Sequence, residues 1–138
     1  MNKLFSVIFY SVILFSACKK ENEVSTSPTI TVEATDKVLF SGAFSSGAHT
    51  TSGDVKLIES ADKKKYLIFD NLKSDAGPDL RIYLSEDKSA KVYTEISNKV
   101  TVGNSKIEVP TAANTDKQKT VLIWCKQFSV LFGSADLK

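Results

Sequence analysis

Two cysteines and one histidine are the residues of this 138-residue chain whose types point to chemistry. Cys18 closes an uncharged apolar run from Leu4 to Ala17, Cys125 follows the apolar run Val121 to Trp124, and His49 stands in a stretch rich in Ser, Gly and Thr. Counting narrows what these groups can do. No Cys-x-x-Cys dithiol is present, so no disulfide can cycle within such a motif. A blue-copper site takes two histidines and a cysteine, and only His49 exists. Covalent haem attachment needs Cys-x-x-Cys-His, and the single methionine is Met1, so no cofactor is expected; haem held between His49 and Cys125 is the one arrangement left formally open. What survives is chemistry at one sulfur, either reversible oxidation to sulfenic acid or a mixed disulfide with a partner. Asp70, Asp75 and Asp79 lie close enough for an oxygen cage but lack EF-hand spacing, and Asp79 more simply caps the turn after Pro78. No Gly-x-Ser-x-Gly elbow, phosphate-binding glycine loop or patterned carboxylate pair argues for a hydrolase or transferase.

The two cysteines belong to different parts of the chain. Lys3 followed by fourteen uncharged residues, Leu4 to Ala17, has the form of a secretory signal over residues 1–17. A membrane-spanning helix needs about 20 apolar residues to cross a hydrocarbon core of about 30 Å, so this run is a signal and not a permanent span. Its end, Leu14-Phe15-Ser16-Ala17-Cys18, resembles the lipobox of bacterial lipoproteins, with Phe15 where leucine is commoner. That resemblance implies lipid on Cys18 and a place in the bacterial cell envelope, the outer membrane or cell surface before the inner membrane. Two or three acyl chains, at about 0.8 kcal/mol per buried methylene, hold a domain on a bilayer persistently. From Lys19 to about Asp36 the composition is polar, with little to bury, and reads as a flexible tether. Fully extended, such a segment reaches roughly 60 Å.

Residues 37–138 then form one domain, long enough for a modest core. Charge is nearly balanced, with 18 basic against 16 acidic residues in the whole chain, and no basic stripe interleaved with aromatics marks a nucleic-acid partner. Lys63-Lys64-Lys65 reads as a solvated turn. Apolar residues alternate with period two, and turn formers interrupt them, which is the pattern of an all-β sandwich or barrel-like domain. The expected strands, about eight, are Val38 to Phe44, Gly53 to Glu59, Tyr66 to Leu72, Leu80 to Leu84, Val92 to Ile96, Lys106 to Val109, Val121 to Cys125 and Val130 to Ala135. Turns are expected at 61–63, 75–79 and 114–116, with Gly77 free to take a positive φ. Trp124, Phe128, Phe132, Phe69 and Phe44 read as core aromatics.

Three stretches exceed a generic β domain. They are Ser41-Gly42-Ala43-Phe44 with His49 and Gly53-Asp54-Val55; Tyr66-Leu67-Ile68-Phe69 leading into Gly77-Pro78-Asp79-Leu80-Arg81-Ile82-Tyr83; and Val121-Leu122-Ile123-Trp124-Cys125-Lys126-Gln127-Phe128 with Ala135-Asp136-Leu137. In this order they resemble the DM-thirteen domain family of small extracellular β domains. The resemblance implies electron transfer or other redox chemistry through the family cysteine, which falls on Cys125.

On a regular strand Cys125 shares a face with Val121 and Ile123, while Leu122, Trp124 and Lys126 point the other way. Both faces are apolar, so the strand is expected at the centre of a sheet. A thiol there needs no function to explain it, whereas a reactive thiolate needs an electropositive and partly exposed setting. His49 is the group expected to supply that setting if the segment after Phe44 folds over the strand end. Two readings follow. In one, the protein is a lipid-anchored redox accessory that acts through Cys125 with an envelope redox partner protein. In the other, it is a non-catalytic binding or structural module with Cys125 buried and inert.

Overall fold

A computed structural model describes residue 30 and residues 32–138; the export segment, Cys18 and most of the expected tether lie outside the described residues. Nine strands form: β1 (Lys37–Ala43), β2 (Ser45–Ser46), β3 (Thr51–Glu59), β4 (Lys65–Ser74), β5 (Leu80–Ser85), β6 (Tyr93–Ser97), β7 (Gly103–Glu108), β8 (Thr120–Cys125) and β9 (Val130–Asp136). They make two antiparallel sheets, ordered β1-β3-β4-β7 and β2-β9-β8-β5-β6. The fold is all-β, as expected, and each of the eight expected strands is present. β7 begins at Gly103 instead of Lys106, and β2 is additional. Its two serines carry no apolar alternation; they pair with Ser134 and Gly133 at the sheet edge, and the Ser46 hydroxyl accepts from the Thr51 N–H (3.1 Å).

Period-two alternation places the core between the sheets. Val55 and Leu57 stand opposite Phe69 and Leu67 in one layer, and Ile82 and Leu84 stand opposite Ile123 and Val121 in the other. These side chains are at most 1% exposed, and burying each contributes about 1.5–3 kcal/mol. β8 is the middle strand of its sheet, flanked by β9 and β5. The chain changes sheets at Phe44, whose N–H donates to the Gly53 carbonyl (2.8 Å) and whose ring stacks on Phe69 at 6.1 Å. One side of the sandwich is closed by the C-terminus, where the N–H groups of Ser41 and Lys138 each donate to the other's carbonyl (3.0 and 2.9 Å).

On the outer face of the four-stranded sheet, Ile58 and Ile68 are also buried. Ile30 and Val32, within the expected tether, are half-buried and line a hollow there with Ile68 and Lys56. Asp36 lies 3.6 Å from the Lys106 ammonium group. The end of the tether segment therefore rests on the sheet.

Three local expectations are corrected. Phe128 is 63% exposed at the tip of the β8–β9 hairpin, because the turn Lys126–Ser129 turns it outward with Ser129 in the left-handed region (φ 53°). Trp124 is half-buried on the outer face of its sheet, as alternation from the inward Ile123 and Cys125 requires, and so lies outside the inter-sheet core. Gly77 does not take a positive φ; it is needed for space, since a Cβ there would lie 2.8 Å from Leu80 and 2.9 Å from Phe132.

Gly53 does carry a positive φ (114°), in a bulge of β3 that faces a matching irregularity of β4 at Asn71 (φ 50°). A Cβ there would meet backbone, 2.7 Å from the Asn71 oxygen and 2.8 Å from the Leu72 Cα. Neither atom can move without breaking the sheet. Gly53→Ala is expected to cost at least about 2 kcal/mol of unfolding free energy, read as a lower urea midpoint at unchanged slope; an unaltered midpoint would contradict this role.

Candidate functional site

Cys125 ends β8. Its cross-strand partners are Leu80 on β5 and Val130 on β9, and both pairs are the last rungs of their ladders. The sulfur faces inward with Val121 and Ile123, as alternation predicts, and the residue is 0% exposed within the hydrophobic core. One residue further, the Lys126 N–H donates to the Asp79 carbonyl at 2.9 Å, tying the hairpin to the Gly77-Pro78-Asp79 turn. Leu80 is half-buried and also lines a cleft of about 550 Å³ with Gly77, Pro78, Asp79, Asn98 and Lys99.

His49 lies at the same end of the sandwich, but its partners are Phe132 and Asp75. The imidazole stacks on Phe132 with centroids 3.9 Å apart, and Nδ1 is 3.7 Å from Asp75 Oδ2. Asp75 is fixed in turn: Oδ2 accepts from the Thr50 N–H (2.9 Å), and the Asp75 N–H donates to the Thr50 carbonyl (3.0 Å). The His49 and Asp75 side chains are 44% and 51% exposed, so their pairing is solvated and worth at most about 1 kcal/mol. No hydrogen bond or ion pair joins His49 to Cys125. The two are linked only through packing: His49 on Phe132, Phe132 and Leu80 against Gly77, and Leu80 beside Cys125. One group is at the surface and the other in the core, so the two residues of the haem arrangement left formally open are not brought together.

The sequence reading did not foresee Asp75 or Phe132 as partners of His49, since their proximity depends on which loops meet. Asp79, weighed as a calcium ligand, instead accepts from Arg81 Nε (2.5 Å), while Arg81 Nη1 donates to Glu95 at 3.0 Å. The hydrogen bond that Arg81 donates to Asp79 leads the effects that raise the Arg81 pKa above its ordinary value. Among the described residues no cluster of three or more His, Cys, Asp or Glu side chains could hold a metal ion.

The outer face of the five-stranded sheet carries a second arrangement. Tyr83 on β5 is stacked under Tyr93 on β6, with centroids 4.1 Å apart and planes at 19°, and its other neighbour is Trp124 on β8, at 6.4 Å and 29°. Tyr83 is 1% exposed while Tyr93 is 42% exposed. Burial first, then the adjoining Tyr93 phenol, pushes the Tyr83 hydroxyl up to about 12 from 10.0.

The described residues form a small antiparallel β-sandwich, and the one cysteine among them, Cys125, is free and buried at the end of the central strand of its sheet. The family model for Electron transfer DM13 matches residues 43–137, and the chain belongs to that family. No curated protein and no solved structure matches it.

The folded state holds the Tyr83 proton to about pH 12, whereas an unfolded tyrosine releases it near 10. The unfolded chain therefore binds fewer protons in this window, and stability falls as pH rises from about 10 to about 12. Urea unfolding across that range is expected to lose on the order of 2 kcal/mol. Tyr83→Phe should remove most of this loss; an equal loss in the variant would contradict the assignment.

Proposed function

We propose that this chain is an electron-transfer accessory of the bacterial cell envelope, held to a membrane by lipid on Cys18, and that its redox-active atom is the Cys125 sulfur, exposed only when the end of the sandwich opens. One observation carries this reading: the motifs behind the family resemblance converge on one end of the fold. His49 packs on Phe132, Gly77 leaves space for Phe132 and Leu80, Leu80 pairs with Cys125, and the Asp79 carbonyl holds Lys126.

Full burial of the sulfur excludes attack on a partner from the closed state, because a thiolate needs access to solvent and to the sulfur it attacks. Opening is cheapest where ladders end. The last rungs of two ladders meet at Cys125, and beyond them lies the short turn Lys126–Ser129. Once exposed and deprotonated, the sulfur attacks one sulfur of a partner disulfide. An S–S bond forms to Cys125, the partner's S–S bond breaks, and the departing thiolate takes up a proton. His49, solvated and paired with Asp75, stands on the Phe132 flank of that opening and tunes the thiol only in the open state. The 0% exposure of Cys125 favours a second reading, that of a tethered binding module with an inert core thiol.

The readings separate when membranes from cells producing the full chain are treated with glutathione disulfide, without denaturant. The proposal expects the chain in the membrane fraction, with a glutathione adduct on Cys125 that forms at a rate nearly independent of low urea. Adduct formation only at urea concentrations that unfold the domain would leave the inert-thiol reading, and recovery in the soluble fraction would refute the anchor.

A further inference from the structure

We propose that the segment carrying Ile30, Val32 and Asp36 docks as a strap on the outer face of the four-stranded sheet and brings the tether out at the Cys125 end of the sandwich, so that this end faces the bilayer. The proposal rests on the lipid anchor and the thiol site put forward above, and adds the orientation in which that site is presented.

The outer face of that sheet needs a cover. Ile58 stands opposite Tyr66, and Ile68 opposite Lys56 and Lys106, on the side away from Val55, Leu57, Leu67 and Phe69. They are nevertheless only 0% and 3% exposed. Ile30 and Val32, both half-buried, share a hollow with Ile68, Lys56, Asp54, Asp70 and Asn104. At the other end of the segment the Asp36 side chain is 3% exposed, its carboxylate 3.6 Å from the Lys106 ammonium group, which lies 4.6 Å from the centre of the Tyr66 ring. Apolar residues at one end and an ion pair at the other hold the segment across the sheet.

Direction follows from the turn that joins the strap to β1. The Asp36 N–H donates to the Glu33 carbonyl (2.9 Å) and the Asp36 carboxylate accepts from the Glu33 N–H (3.1 Å), so the chain reverses over residues 33–36. β1 starts at Lys37, opposite Glu59, and runs toward Ala43, opposite Asp54. Before the turn, the chain comes from the Ala43 end, and Ile30 and Val32 accordingly share their hollow with Asp54, Asp70 and Asn104. Thr51 and Ser74 close the β3–β4 ladder on that side, and the 75–79 turn leads from there to Leu80, the partner of Cys125. Without the strap, the tether would leave at Lys37, at the opposite end of the sandwich. Only residues 19–29 separate Cys18 from Ile30, and eleven residues span at most about 40 Å. The ten residues of β4 span about 33 Å. Laying the far end on the bilayer would require residues 19–29 to run nearly straight along the whole domain, at the cost of their conformational entropy. The Cys125 end therefore stays on the membrane side, and the partner it meets there is one that shares the bilayer.

The test uses the full acylated chain in phosphatidylcholine vesicles, which carry no net charge and so do not attract the Lys63-Lys64-Lys65 turn. In a Cys125→Ser background a fluorophore is placed on Ala76→Cys, at the Cys125 end, or on Ala61→Cys, in the β3–β4 turn at the other end; both positions are exposed. Quenching by energy transfer to acceptor-labelled lipid is then compared. The strap predicts stronger quenching at Ala76→Cys, and loss of that contrast in the triple variant Ile30→Asn, Val32→Asn, Asp36→Asn, where the tether leaves at Lys37. Equal quenching of the two labels on the vesicle-bound chain, or stronger quenching at Ala61→Cys, would overturn the proposal, and so would a contrast unchanged in the triple variant. The comparison with the native strap decides the matter even if the triple variant fails to fold. A chain that does not stay on the vesicles would refute the anchor and this orientation with it, whereas a missing glutathione adduct on Cys125 refutes the thiol mechanism alone.

Discussion

The packing of β8 between β9 and β5, with Val121, Ile123 and Cys125 turned toward the opposite sheet, is the contact on which the rest of the structure depends. It makes the two layers share one dry interior, and it fixes the alternation that sends Trp124 outward and Cys125 inward. One strand thus separates two kinds of redox-capable side chain. The indole is half-buried on the outer face, while the thiol is sealed in the interior of the closed fold. The electron-transfer description of the family has to be reconciled with that constraint, and local opening at the strand end does so without requiring an exposed sulfur in the resting state.

On the proposed reading, the end of the sandwich is where such an opening would start. Cys125 closes two ladders, and the neighbouring turn is held by the single backbone bond from Lys126 to Asp79. Leu80 and Val130, its cross-strand neighbours, are only half-buried. By contrast, the middle of β8 is flanked by fully buried residues of β5. Stability is therefore unevenly spread along one strand, which is the condition under which part of a protein can move while the remainder stays folded.

Much of the fold was legible because period-two alternation is a local property. The inward set Val121, Ile123 and Cys125 follows from spacing alone, and so does the central position of a strand apolar on both faces. Phe128 was misread because a hydrophobic residue looks the same in a strand and in a tight turn; the left-handed Ser129 that turns it outward has no strong sequence mark. Gly77 was understood as a conformational glycine, yet its role is steric and depends on Phe132, far away in sequence. The partners of His49 and the Tyr83 stack were illegible for the same reason. They arise from strand order and register, which composition and alternation do not encode.

Amide hydrogen exchange in the native state tests the central claim most directly, by comparing the Lys126 N–H, bonded to the Asp79 carbonyl, with the amides of Leu122 and Ile123 in the middle of the same strand. The account predicts that Lys126 exchanges through an opening well below the global unfolding free energy and nearly insensitive to low urea, while Leu122 and Ile123 exchange only with global unfolding. Exchange of all three at the same free energy and with the same urea dependence would contradict it, leaving the Cys125 sulfur sealed for as long as the domain is folded.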